Sequence, residues 1–268
     1  MTAPVAVVVD ALSYAASAFL IGRIPLGESP PGIDEAAVPS LLRRAREGIA
    51  FVGRHPVLRA GLCCAMTINF FTFVAGSGLM VLFASRVLGL SAGVVGLTLG
   101  VGSTGAFLGA ILAPRISRRI GVGRSIVVGA VLFPAPIAIA AGAGGRGPLW
   151  ARAGALATAE FLSGVGVMLF DVNLNSPQTR VIPDGMRSRV AGAFSTINYG
   201  IRPIGAVVGG LLATAFGLRA TLLIGAAGGM LSLLWLLASP IPHIHSLAPD
   251  HAATPSGDAD PDNRPMPC

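Results

Sequence analysis

Polar residues at helical spacing inside otherwise apolar segments are the groups in this 268-residue chain with chemistry to offer. Glu160, Gly164, Val167, Asp171 and Asn175 stand at offsets 0, 4, 7, 11 and 15, which places them on one stripe of a helix. Ser195, Tyr199 and Arg202 follow at 0, 4 and 7, with Asn198 one turn before Arg202. Asn69, Thr72 and Gly76 make a shorter stripe. A charge at the centre of an apolar span costs about 2.5–3.5 kcal/mol on insertion scales, so such groups are expected to face protein or a water-filled cavity. Proton or ion binding by a carboxylate, and polar contact with a passing solute, are the reactions open to them. Glu160 and Arg202 are expected to form an ion pair inside the helix bundle, with a transport role and a purely structural one both open. Asp171 and Asn175 fall near the end of their segment, where solvation is the simpler explanation.

Other chemistries lack their residues. All 19 basic residues are arginine, so an ε-amino Schiff base and a phosphate loop with its lysine are excluded. No Gly-x-Ser-x-Gly elbow and no His-Glu-x-x-His helix occurs. The four histidines, His55, His243, His245 and His251, do not stand at metal-ligand spacing with the three cysteines; Cys63 and Cys64 are expected to act as small packing residues. Neither an enzyme, a resident metal nor a cofactor is expected. The arginines are dispersed among apolar segments, which argues against nucleic acid as a partner despite a net charge of +7.

The elements that must position the polar stripes are membrane helices. Hydrophobic residues make up 53% of the chain and charged ones 12%, half the share of an ordinary soluble domain, and the mean hydropathy is +0.74. Apolar runs long enough to cross a bilayer, roughly 20 residues each, are expected at 3–21, 60–84, 92–113, 125–143, 153–173, 190–216 and 220–238. Pro136 and Pro203 predict kinks in two of them. Pairs spaced for close helix contact are Gly96 with Gly100, Gly105 with Gly109, Gly205 with Gly209 and Gly225 with Gly229. Trp150 and Trp235 fall at span ends, as interfacial anchors do.

Orientation follows from the arginines between spans. Arg23, Arg43, Arg44, Arg46, Arg54, Arg59, Arg115, Arg118, Arg119, Arg124, Arg180, Arg187 and Arg189 lie on one side, against Arg86, Arg146, Arg152 and Arg219 on the other. The richer side is expected to be cytoplasmic, with the N-terminus outside and the C-terminus inside. The organisation is thus a helix in residues 1–23, a cytoplasmic loop in 24–59, a six-helix bundle in 60–238 and a disordered, Pro- and Asp-rich cytoplasmic tail in 239–268. Within the loop Leu41, Ala45, Ile49 and Val52 share one helical face, and Arg43, Glu47 and Arg54 another. That helix either lies on the membrane surface or packs on the ends of the spans.

Several stretches carry a resemblance. VDALSYAASAFLIGRI resembles the sixth helix of major facilitator superfamily transporters in the branch of bacterial drug and siderophore exporters. REGIAFVGRHPVLRA resembles the end of their central loop, and RVIPDGMRSRVAGAFSTINYGIRPIGAVVGGLLATAFGLRATLLIGA resembles the tenth-to-eleventh loop, the eleventh helix and the start of the twelfth. GAILAPRISRRIG is a degenerate form of the superfamily's loop signature, with Pro114 in place of its acid and Arg115, Arg118 and Arg119 kept. The resemblance implies an all-α membrane protein of about seven transmembrane helices, six of them forming the C-terminal bundle of the fold. It also implies a plasma (inner) membrane location and ion-coupled export of small amphipathic molecules by alternating access. Asn69, Glu160, Asn198, Tyr199 and Arg202 are the candidate path residues, with Glu160 as the proton-linked carboxylate. Five helices of the full fold have no counterpart in the resemblance, so a separate N-terminal half or a second copy is the implied partner beside the lipid bilayer and a small-molecule substrate. A non-transporting membrane remnant or interaction protein is the alternative expectation.

Overall fold

The computed structural model describes residues 3–23, 40–144 and 147–243. Most of the expected tail and the first part of the expected loop lie outside them. The chain divides into two units, residues 1–41 and 42–268. The first holds α1 (Ala3–Gly22), whose apolar stretch Val7–Gly22 is shorter than the spans of the second unit. Ser13 and Ser17 donate to the carbonyls of Asp10 and Ser13 at 2.8 and 2.9 Å, which satisfies both hydroxyls within an apolar helix.

The second unit is a bundle of helices, with no strand among the described residues. After α2 (Leu41–Arg54) come α3 (Pro56–Ala75), α4 (Ser77–Arg86), α5 (Ala92–Ile120), α6 (Val122–Leu132), α7 (Ile137–Gly142), α8 (Leu149–Val181), α9 (Arg187–Phe216), α10 (Leu218–Met230) and α11 (Ser232–Leu237). By length and composition they provide six membrane-crossing segments among the described residues: Pro56–Arg86, Ala92–Ile120, Val122–Gly142, Leu149–Asn175, Arg187–Phe216 and Leu218–Leu237. Each contains one of the last six expected runs, extended at one or both ends except where Val122–Gly142 and Leu218–Leu237 stop one residue short. Large apolar side chains such as Leu97, Phe107, Val207 and Leu211 are exposed, as suits helices whose solvent is lipid.

Two apolar cores sit toward opposite ends of the bundle, because successive helices run up and down. One gathers Leu58 and Ile68 of α3 with Ile126, Phe170, Val190, Phe194 and Leu236. The other gathers Phe83 and Leu88 with Val95, Ile137, Leu156 and Leu222. Along α3 and α4 the chain leaves the first core at Ile68 and joins the second at Ala75; along α8 it leaves the second at Ala159 and joins the first at Phe170. Asn69, Thr72, Glu160 and Ser163 fall in these gaps, at mid-depth.

Glycines decide which helices touch. A Cβ at Gly105 would run into the Phe161 carbonyl oxygen, and one at Gly109 would lie 2.8 Å from that of Val165, so α5 packs on α8 backbone to backbone. Gly205 and Gly209 bring α9 against the carbonyls of Phe70 and Val74 on α3. Gly225 meets Phe71 and Ala75, while Gly229 meets the Pro134 ring. Gly96 and Gly100 do not behave this way: both are exposed, with open space where a Cβ would stand. Their side of α5 faces away from the bundle, so this pair is no packing contact within the unit.

The loop helix also differs in part from expectation. α2 is docked on the bundle, held by only part of its apolar stripe: Glu47 accepts from Arg189 Nη1 at 2.9 Å, and Val52 is buried in the first core. Gly48 lies so close to the Arg189 carbonyl that a Cβ would come within 2.5 Å of it. Ala45 and Ile49, from the expected apolar face, are exposed instead. Arg115, Arg118 and Arg119 lie not in a loop but on the exposed last turns of α5, where cations complement the helix dipole.

Candidate functional site

The polar residues assemble on either side of α3. Because Gly205 and Gly209 let α9 approach α3, side chains one turn away can reach across the contact. Asn69 Nδ2 donates to Asn198 Oδ1 at 2.9 Å and to the Ala65 carbonyl at 3.0 Å. Arg202 Nε donates to Asn69 Oδ1 at 2.8 Å. The guanidinium carbon lies 4.2 Å from the centre of the Tyr199 ring and 5.0 Å from that of Phe73, so the charge is also stabilised by two aromatic faces. Asn69 and Asn198 are buried, Arg202 is half-buried, and Tyr199 and Ser195 are exposed on the same side of α9. Among the described residues Arg202 has no further hydrogen bond and no carboxylate within 4 Å, and the nearest acidic group its charge acts on is Asp171 of α8.

This arrangement corrects the expected ion pair, since Glu160 and Arg202 do not meet. Both stand at mid-depth, but α8 packs on α5 and α6 whereas α9 packs on α3 and α10, so the two charges face different neighbours. Asp171 is exposed, and Asn175 donates to its backbone carbonyl at 2.9 Å. The Asn69 stripe, which is the weaker pattern in the sequence, turns out to be the hub.

Glu160 borders a cavity of about 160 Å³ together with Thr72, Gly76, Ser77, Phe133 and Ser163. A second, more open groove of about 300 Å³ continues past it along Gly102, Gly164 and Val167, so the stripe from Glu160 to Val167 lines a path. Two interrupted helices flank the cavity. At Gly76, with φ 45°, α3 stops and α4 begins; the φ disfavours any side chain, and a Cβ there would lie 3.0 Å from the Phe73 carbonyl oxygen. Between α6 and α7 the chain passes through Pro134 and Pro136, which lack the N–H groups that would continue the helix. The Ile137 N–H bonds the Pro134 carbonyl at 3.2 Å instead of that of Phe133. Ser163 takes up the released Phe133 carbonyl, donating to it at 2.9 Å. The kink expected at Pro136 is thus a break, while α9 is helical through Pro203. Among the described residues Thr72 Oγ1 is buried without a hydrogen-bond partner.

Replacing Asn69 with alanine is expected to destabilise the bundle by about 1–3 kcal/mol, because it leaves Asn198 Oδ1 and Arg202 Nε without their partner at mid-membrane. Unfolding in mixed micelles measures it, and a double-mutant cycle with Asn198→Ala isolates the amide pair.

Charged groups held at mid-depth, with two helix interruptions bordering a cavity, define a polytopic membrane protein with a polar interior. Residues 62–258 match the Major Facilitator Superfamily, and the chain belongs to that family of membrane transporters. No curated protein and no solved structure matches it.

Proposed function

We propose that this chain is a secondary active transporter that exports small amphipathic compounds across the plasma membrane by alternating access, and that it supplies the C-terminal bundle of a drug or siderophore exporter. The observation that carries the reading is Glu160, placed at mid-membrane in a cavity between two interrupted helices. In transporters such breaks present backbone groups to a substrate or coupling ion near the repeat interface. Here they surround the carboxylate that loads and releases a proton or another small cation. Arg202, Tyr199 and Phe73 form the second element, an aromatic and cationic surface that suits an amphipathic solute. The exposed face carrying Ser195, Tyr199 and Arg202 is the wall of the substrate path, and a second six-helix wall completes it. The arginine-rich ends face the cytoplasm, with the N-terminus outside.

Flux of fluorescent amphipathic dyes through proteoliposomes with an imposed pH gradient tests this, for the chain alone and for the chain reconstituted with an N-terminal half of a related transporter. Gradient-dependent flux in either preparation is the expected result. Its absence from both, with the protein folded, overturns the reading in favour of a non-transporting membrane protein.

A further inference from the structure

Beside the docked α2 lies a groove of about 660 Å³ that the transport reading does not use. Arg43, Arg46 and Arg54 line it, with Phe51 and Met186 as apolar floor and Glu47 at its edge. The Glu47 carboxylate is engaged twice, by Arg43 at 3.2 Å and by Arg189 at 2.9 Å, so three guanidinium groups face the groove against one carboxylate already shared. Its position in the membrane is set by the chain itself. α2 ends at Arg54 and the first span of the bundle begins at Pro56; Met186 immediately precedes the span that begins at Arg187. The groove therefore lies at the common end of two spans, where lipid headgroups lie.

We infer that this groove binds the phosphate headgroup of an anionic phospholipid. Arginine suits the role because its planar fork can take two phosphate oxygens at once, and basic pockets at the ends of membrane helices attract anionic headgroups. The apolar floor suits the glycerol and upper acyl region, which a free anion lacks. The site is also held ready: the Glu47–Arg189 pair, the close approach of Gly48 and the burial of Val52 fix the helix that presents the arginines. Binding a lipid here would clamp α2 to the start of α9, the helix that carries Arg202.

The test uses the purified full chain in mixed micelles, titrated with phosphatidylglycerol or phosphatidylcholine, with retained lipid counted by native mass spectrometry and thermal stability followed in parallel. The wild-type chain is expected to prefer phosphatidylglycerol roughly tenfold and to melt several degrees higher with it. The Arg43→Gln/Arg46→Gln/Arg54→Gln variant should lose both effects, and the corresponding triple lysine variant should keep most of them. A preference for phosphatidylglycerol in the glutamine variant as strong as that of the wild type overturns the proposal. So does an equal thermal shift from inorganic phosphate alone, which marks a soluble-anion site. Should the triple glutamine variant fail to fold, single Arg46→Gln decides the matter: an unchanged lipid preference in that variant also overturns the proposal, and a weakened one supports it.

Discussion

Alanine at Gly209 is expected to destabilise the bundle by about 1–3 kcal/mol, although alanine is the better helix former. The two effects oppose each other, and their sizes decide the sign. Removing glycine from a helix interior favours folding by roughly 0.5–1 kcal/mol. Against that, the new methyl would collide with the Val74 carbonyl oxygen on α3, which is backbone and has no rotamer to escape into. Relief requires α9 to move off α3, and that shift also stretches the Arg202 to Asn69 and Asn69 to Asn198 hydrogen bonds. Gly105→Ala should behave similarly through the Phe161 carbonyl on α8. Gly96→Ala is the control, because open space surrounds its Cβ position and only the propensity gain applies. Denaturant unfolding in micelles distinguishes these outcomes, and a Gly209→Ala protein as stable as wild type would show that the α3–α9 contact yields without cost.

The contrast between those glycines shows where the sequence stops being informative. Small residues at a spacing of four mark a helix face able to pack closely, but spacing says nothing of which faces find a partner. Gly205 and Gly209 meet α3 while Gly96 and Gly100 meet nothing in the unit, and only tertiary arrangement separates them. The same limit applies to charge. Periodicity placed Glu160, Gly164 and Val167 on one stripe, and they do line one groove. Opposite charges inside consecutive spans also suggested pairing Glu160 with Arg202, and that failed because helices adjacent in sequence, α8 and α9, pack on different neighbours. Pro136 signalled a kink through its missing N–H group, and the structure turns that kink into the α6–α7 break, with Pro134 as the second residue that cannot donate. The break at Gly76 had no comparable signal, since a glycine inside an apolar run is equally compatible with continuous helix. Phe73, whose ring lies beside Arg202, was hidden because an aromatic residue in a membrane span is ordinarily lipid-facing or core.

Glutamine at Glu160 is expected to reduce pH-gradient-driven flux to the rate seen without a gradient, while leaving the fold intact. The substitution keeps the shape of the side chain, so the cavity with Thr72, Ser77 and Ser163 keeps its volume. It removes the one carboxylate that borders that cavity and, with it, the group that would gain a proton from one side and release it to the other. Because glutamine resembles the protonated acid, the variant should resemble the loaded state throughout the cycle. Exchange of substrate down its own gradient should therefore persist, and only the coupling should disappear. Ser163→Ala provides a comparison of a different kind: it leaves the Phe133 carbonyl unpaired at the α6–α7 break and should lower stability without abolishing coupling. Dye flux and internal pH recorded together in proteoliposomes separate the two. If the glutamine protein still moved protons with dye at the wild-type ratio, Glu160 would be a structural group, and the coupling carboxylate would have to be sought elsewhere, with the exposed Asp171, three turns on along the same stripe, as the next to replace.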